Sequence, residues 1–293
     1  MDRVSKPMSN DATELIYIAG TARSGSTILA LLLGSSERMA CIGEVTHLYR
    51  DGLSTSKTCS CGASVLECPV WKCCIPNLIK KFPNGESTLK NFDRHQGLFK
   101  STFYYLTGRG IKNWLELNTE LFNTVKQKFP KDTVLIDSSK YASRSLLLSK
   151  AFNSKTIIIT RSPEGLLDSF SKQNIEQKSK RSLSVFFYFL YVSISLKIAS
   201  ILLGKRMLWI TFDSLMNKPT TVLDSIEKFL DKDLSKAKSI VVNKTSFEFG
   251  HVLTGNRLIK SKKIKFQIQP IRKKSSFLIW LMKVMQKLLH IPA

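Results

Sequence analysis

Short apolar runs alternate along this chain with longer stretches of helical periodicity. Leu15-Ile16-Tyr17-Ile18-Ala19, Val134-Leu135-Ile136, Thr156-Ile157-Ile158-Ile159 and Met207-Leu208-Trp209-Ile210 have the length and composition of buried strands. Between them, residues 28–33 ended by Gly34, residues 143–152 and residues 221–230 carry helical patterns. Strands that are apolar throughout, rather than at every second position, belong to a sheet covered on both faces. The pattern therefore predicts an α/β fold, a three-layer sandwich around a mostly parallel central sheet. In such sheets functional residues gather at the carboxyl ends of strands. Residues 20–27, residues 137–140 and Arg161-Ser162-Pro163 each follow directly on a predicted strand.

Three segments depart from the alternation. Residues 51–131 begin as a cysteine-rich loop and continue as helical patterns around 99–106 and 114–129, an insertion over the sheet placed to shape a substrate cleft. Residues 183–203 are almost continuously apolar, with basic residues on either side, and are long enough to cross a bilayer. Lys197 inside that run, and its place in the middle of an α/β pattern, favour a buried or membrane-contacting helix instead. Residues 277–291 form a basic amphipathic pattern, suited equally to packing on the domain or to a membrane surface. The 293 residues read as a single domain, 1–293, with 258–293 as a basic tail.

Charge adds a partner class. A net charge of +23 and 43% hydrophobic residues describe a globular protein that attracts anions: a phosphorylated cofactor, an acidic acceptor or an anionic membrane surface. No Asp or Glu follows Glu248, whereas Arg257, Lys260, Lys262, Lys263 and further basic residues do. The basic residues lack the aromatic interleaving of nucleic-acid modules, so no nucleic-acid partner is expected. Residues 1–11 are polar and show no signal peptide, which makes the expected location cytoplasmic, with membrane association left open by residues 183–203 and the tail.

The candidate chemistry starts at Gly20-Thr21-Ala22-Arg23-Ser24-Gly25-Ser26-Thr27. Strand, glycine-spaced loop and helix make a phosphate-binding loop, in which backbone N–H groups and the helix N-terminus hold an oxyanion. Ser26 stands where a nucleotide triphosphatase carries its lysine, so the expected ligand has a shorter 5′ group, with Arg23 supplying charge. Among the cysteines, Cys59, Cys61, Cys68, Cys73 and Cys74 cluster in the insertion. Their spacing does not repeat a Cys-x-x-Cys knuckle and no histidine lies nearby in sequence, so no metal ligand is assigned and the role stays open. A disulfide is disfavoured in a reducing compartment.

From residue 16 to residue 257 the chain resembles the sulfotransferases that use 3′-phosphoadenosine 5′-phosphosulfate (PAPS). Ala22-Arg23-Ser24-Gly25-Ser26-Thr27 looks like their 5′-phosphosulfate loop, with Ala22 where a proline often stands. Thr160-Arg161-Ser162-Pro163, with Ser169 eight residues after the arginine, is similar to their 3′-phosphate element. Asp137-Ser138-Ser139-Lys140, Phe212-Asp213-Ser214-Leu215 and residues 251–257 resemble further segments of bacterial members, as do Cys59-Ser60-Cys61-Gly62 and Cys68-Pro69-Val70-Trp71.

The resemblance implies a P-loop-kinase-like fold and PAPS as co-substrate without a metal. Arg23, Ser24, Gly25, Ser26 and Thr27 would hold its 5′ side, and Arg161, Ser169, Gly255, Asn256 and Arg257 its 3′-phosphate and adenosine. Arg23 and Lys140 would stabilise the transition state. Glu44 is implied as the base by the Gly-Glu-Glu segment of tyrosylprotein enzymes, although Val45 stands at the second position; His47 is the rival, because cytosolic members use histidine. The acceptor would be a hydroxyl of a carbohydrate, glycolipid or other small molecule. The competing readings are a P-loop kinase or NTPase, for which Asp137 is the candidate magnesium ligand, and a non-catalytic anion- or membrane-binding protein.

Overall fold

Five parallel strands form the centre of the computed structural model, which describes residues 14–52, 58–171, 181–247, 250–253, 264–266 and 276–292. They are β1 (Leu15–Gly20), β2 (Met39–Gly43), β3 (Val134–Lys140), β4 (Ser154–Thr160) and β5 (Met207–Thr211), in the order β2-β3-β1-β4-β5. β1 lies in the middle and its six residues are all buried, as its unbroken apolar composition requires. The four predicted strands are all present. β2 is the addition: with Ile42 as its one β-branched residue, Met39-Ala40-Cys41-Ile42-Gly43 has little strand character, and its place is set by pairing with β3 along the sheet edge.

Alternate residues of β1 feed two cores. Ile16 and Ile18 face a layer built by α1 (Ser26–Leu33), α10 (Phe212–Asn217), α11 (Pro219–Leu230) and α12 (Ser235–Val242). Leu15, Tyr17 and Ala19 face the other layer, where α7 (Ala142–Ala151) and α9 (Ser182–Leu203) pack together with the insertion. The insertion begins within α2 (Leu48–Gly52) and contains α3 (Trp71–Lys81), α4 (Gly85–Asp93), α5 (Leu98–Thr107) and α6 (Lys112–Lys126). It thus covers one sheet face, and its cysteine-rich stretch is partly helical, with Cys73 and Cys74 on α3.

A buried ionic network ties this insertion to the sheet. The Arg144 guanidinium, fully buried on α7, donates to Asp137 on β3 at 2.6 Å, to Asp93 at the end of α4 at 2.7 Å and to Asn118 on α6 at 2.9 Å. Trp114 Nε1 donates to the second Asp93 oxygen at 2.7 Å. Both carboxylates are partnered, which makes their burial tolerable.

α9 is long and apolar enough to cross a membrane by length and composition, at a mean hydropathy of 1.9. Half of it is buried: Val185, Phe189, Val192, Leu196 and Ala199 pack inward, while Leu183, Phe187, Ile194 and Ile201 face out. α8 (Pro163–Ser171) and α13 (Phe277–Leu288) pack against its N-terminal part through Leu166, Phe170 and Met282. The amphipathic tail helix therefore docks on the domain, and Lys283 pairs with Glu164. Two further short strands, β6 (Ser246–Phe247) and β7 (Ile264–Lys265), pair antiparallel.

Candidate active site

The loop after β1 is built around left-handed backbone. Gly25 has φ 86° and Arg23 φ 69°, so the chain turns sharply before α1 begins at Ser26. A Cβ at Gly25 would lie 2.2 Å from the Phe212 ring, so neither its dihedral nor its surroundings admit a side chain. Thr21 Oγ1 and Ser24 Oγ are buried within the loop and have no hydrogen-bond partner among the described residues. Buried hydroxyls are normally partnered, so their presence in a phosphate-type loop suits an anionic ligand. Tyr188, reaching in from α9, accepts the Ala22 N–H at 2.7 Å and braces the loop from the far layer.

Arg161 follows β4 and lies beside this loop. Its Nη1 donates to the Arg23 carbonyl at 3.1 Å, and its guanidinium sits 4.6 Å over the Phe212 ring. Arg161 Nε is buried and has no partner among the described residues. Burial lowers its pKa, opposed by Asp213 and Asp168, but an arginine remains cationic at neutral pH. The next residue, Ser162, donates its N–H to Asp213 at 3.0 Å, which joins the β4 and β5 ends. Glu164, on the first turn of α8, pairs with Lys283 on α13. Ser169 lies on α8 beyond the same strand. Gly255, Asn256 and Arg257 lie outside the described residues.

At the other side of β1, the ends of β2 and β3 present Glu44 and Lys140. Lys140 has φ 77°, an uncommon value for a residue with a side chain, and its ammonium donates to Glu44. Glu44 is buried. His47, one turn later, lies with Nε2 at 3.9 Å from Glu44, and Arg94 donates to its Nδ1 at 3.3 Å. A guanidinium can only donate, so Nδ1 is an acceptor and the ring proton belongs on Nε2, facing Glu44. Desolvation, with Arg50, Arg94 and Lys140 nearby, lowers the His47 pKa to about 4. His47 is thus a neutral ring with its one lone pair engaged, a poor proton acceptor.

The walls between the two groups are aromatic. His95 sits edge-on to Tyr141, Tyr188 and Tyr191 at centroid distances of 4.9, 5.9 and 5.1 Å. Arg94, His95, Tyr141 and Tyr188 have no motif that marks them in the sequence; folding of the insertion and α9 onto the sheet brings them there. Asp137 is occupied, accepting from Arg144 at 2.6 Å and from the Ser139 N–H at 3.0 Å.

The cysteines separate into two groups. Cys59, Cys61 and Cys68 meet His251, their ligand atoms all within 4.8 Å of one another, whereas Cys73 is exposed on α3. The histidine absent nearby in sequence is supplied from the other end of the chain.

No family model and no curated protein matches this sequence. Among solved structures, it is similar to the sulfotransferase domain from the curacin biosynthetic pathway, at 16% identity over 96% of this chain and 98% of that one, TM-score 0.53. A sulfotransferase from Mycobacterium avium matches at 11% identity over 94% of this chain and 76% of that one, TM-score 0.52. These define the fold: the chain has the P-loop-kinase-like α/β architecture of sulfotransferases.

Proposed function

We propose that the protein is a PAPS-dependent sulfotransferase that sulfates a hydroxyl of a carbohydrate, glycolipid or other small acceptor. One observation carries the reading: Arg161 from the end of β4 and the lysine-free loop after β1 meet at the Arg23 carbonyl, a pairing suited to a nucleotide with phosphates at both its 3′ and 5′ positions. Thr21 Oγ1, Ser24 Oγ and Arg161 Nε, without partners among the described residues, fit a ligand with anionic groups at both positions. A kinase reading lacks its lysine at Ser26, and Asp137 is taken up by Arg144 instead of facing a metal.

PAPS, when bound, supplies the sulfuryl group and keeps the electron pair of the broken sulfur–oxygen bond on its 5′-phosphate. The loop amides with Ser24, Ser26 and Thr27 hold that phosphate, and Arg23 adds charge. Arg161, with Ser169 and the segment containing Gly255, Asn256 and Arg257, holds the 3′ side. Lys140 moves from Glu44 toward the sulfuryl oxygens, which stabilises their charge and frees the Glu44 carboxylate. Glu44 then takes the acceptor hydroxyl proton as the new oxygen–sulfur bond forms. Arg94, His95 and the three tyrosines line the acceptor side.

Incubation with sulfur-labelled PAPS and a panel of glycan, glycolipid and phenolic acceptors tests this reading. Label transfer that Glu44→Gln abolishes is expected. Hydrolysis of ATP, with no affinity for PAPS, would contradict it.

A second property, association with an anionic membrane surface from the cytoplasmic side, is supported by Phe277 and Trp280, exposed and stacked at 5.6 Å on the basic helix α13. Vesicles containing anionic lipid should co-sediment the protein at low salt and release it at high salt; no binding at low salt contradicts the property.

A further inference from the structure

Three thiols and an imidazole from distant parts of the chain converge beside the insertion. Cys61 Sγ and Cys68 Sγ are 3.9 Å apart, and Cys68 Sγ lies 3.4 Å from His251 Nδ1. Ligands on a tetrahedron around zinc, at about 2.3 Å for sulfur and about 2.0 Å for nitrogen, stand roughly 3.8 Å apart for two sulfurs and roughly 3.5 Å for sulfur and nitrogen. With all four atoms within 4.8 Å of one another, the group has the dimensions of a ligand shell.

The surrounding backbone is shaped to hold it. Gly62, at φ 90°, closes a turn in which its N–H donates to the Cys59 carbonyl at 2.9 Å and the Cys59 N–H donates to Ala63, so Cys59 and Cys61 present their sulfurs together. Ser60 between them clamps the histidine segment. Its N–H donates to Val252 and its hydroxyl to Gly250, each at 2.9 Å, and the hydroxyl accepts from the Val252 N–H at 2.8 Å. Trp71 Nε1 donates to the His251 carbonyl at 2.8 Å. The Cys68 sulfur accepts from the Val70 and Trp71 N–H groups, the hydrogen bonding usual around a metal-bound thiolate. Cys59 and Cys68 are buried while Cys61 is exposed, which leaves an entry path.

We propose that Cys59, Cys61, Cys68 and His251 bind one zinc ion. The three thiols release their protons to solvent on binding, and the neutral imidazole coordinates through Nδ1, so the filled site carries one net negative charge. Four protein ligands complete the shell and leave no position for a reacting water, which makes the ion structural. It staples the start of the insertion to residues 250–253, and His251 stands four residues ahead of Gly255 in the sequence. The ion therefore anchors the base of the segment proposed to reach the 3′-phosphate, although the site itself does not depend on that function.

The full chain, grown with added zinc and purified without chelator, should contain one zinc per chain by plasma mass spectrometry. Cys61→Ser and His251→Ala should lose it, while Cys73→Ser, outside the cluster, should retain it. Cobalt substituted for zinc should give thiolate charge-transfer bands and the intense visible bands of a tetrahedral site. Where a variant fails to fold, mercurial titration of the unaltered protein replaces it and should release one zinc, read with a chromogenic chelator. A protein that neither carries nor takes up zinc after reduction, or zinc unchanged in both ligand variants, overturns the proposal.

Discussion

Lys140 donates to Glu44 across the adjoining ends of β3 and β2, and it does so from a left-handed backbone conformation. The pair sets a carboxylate and a cation side by side at the mouth of the sheet, the cation on the strand that neighbours β1. If Glu44 is the proton acceptor, Glu44→Gln keeps the size and the hydrogen-bonding capacity of the side chain but cannot take a proton. Turnover should fall about 100- to 10,000-fold with the donor dissociation constant changed little. Steady-state kinetics alongside direct donor titration checks this; unchanged turnover removes Glu44 from the role.

Tyr188→Phe removes the hydroxyl that accepts the Ala22 N–H. One loop amide then loses its partner, at a cost of about 0.5–1.5 kcal/mol, and the loop loses its brace to α9. Donor binding should weaken several-fold while the melting temperature shifts only slightly. Equal losses of stability and affinity would mean that Tyr188 serves packing alone.

Arg144→Met should be among the most destabilising single changes. It leaves Asp93 and Asp137 buried without their cation, a loss of about 3–5 kcal/mol in pairs of this kind. Denaturant titration measures it. A loss below about 1 kcal/mol would show that the network is not what holds the insertion on β3.

His47 sets an acid dependence. Its pKa is lowered from 6.5 to about 4 in the folded chain, so below pH 6.5 the unfolded state takes up a proton that the folded state refuses. The sign follows: the contribution to stability is present above pH 6.5 and is lost as pH falls toward about 4. The loss from this group should be roughly 1–3 kcal/mol, read as the difference between the unaltered chain and His47→Gln in denaturant titrations at neutral and mildly acid pH; His95, whose pKa burial also lowers, adds a loss of the same sign that the variant retains.

The loop, the strand ends and most helices were legible in the sequence because each is written in contiguous residues. Gly25 needs left-handed backbone, Arg161 needs only to follow a strand, and the apolar runs fix which segments are buried. β2 was not legible, since its residues form a strand through pairing with β3 and not through their own preference. Tyr188 sits in a run whose hydrophobicity points to burial and hides its hydroxyl's contact with the loop. Arg94, and His251 beside Cys68, come together only through the tertiary fold. The docking of α13 on α8 and α9 through Met282 is likewise a tertiary contact that its amphipathic pattern does not specify.

In the proposed reaction the loop after β1 and Arg161 together select a nucleotide phosphorylated at both its 3′ and 5′ positions. Calorimetric titration with adenosine 3′,5′-bisphosphate, against ATP with magnesium and with Arg161→Ala as control, tests it most directly. Saturable binding of the bisphosphate, abolished by Arg161→Ala, with little or none of ATP, is the expected result. Binding of ATP with magnesium, without binding of the bisphosphate, would contradict it.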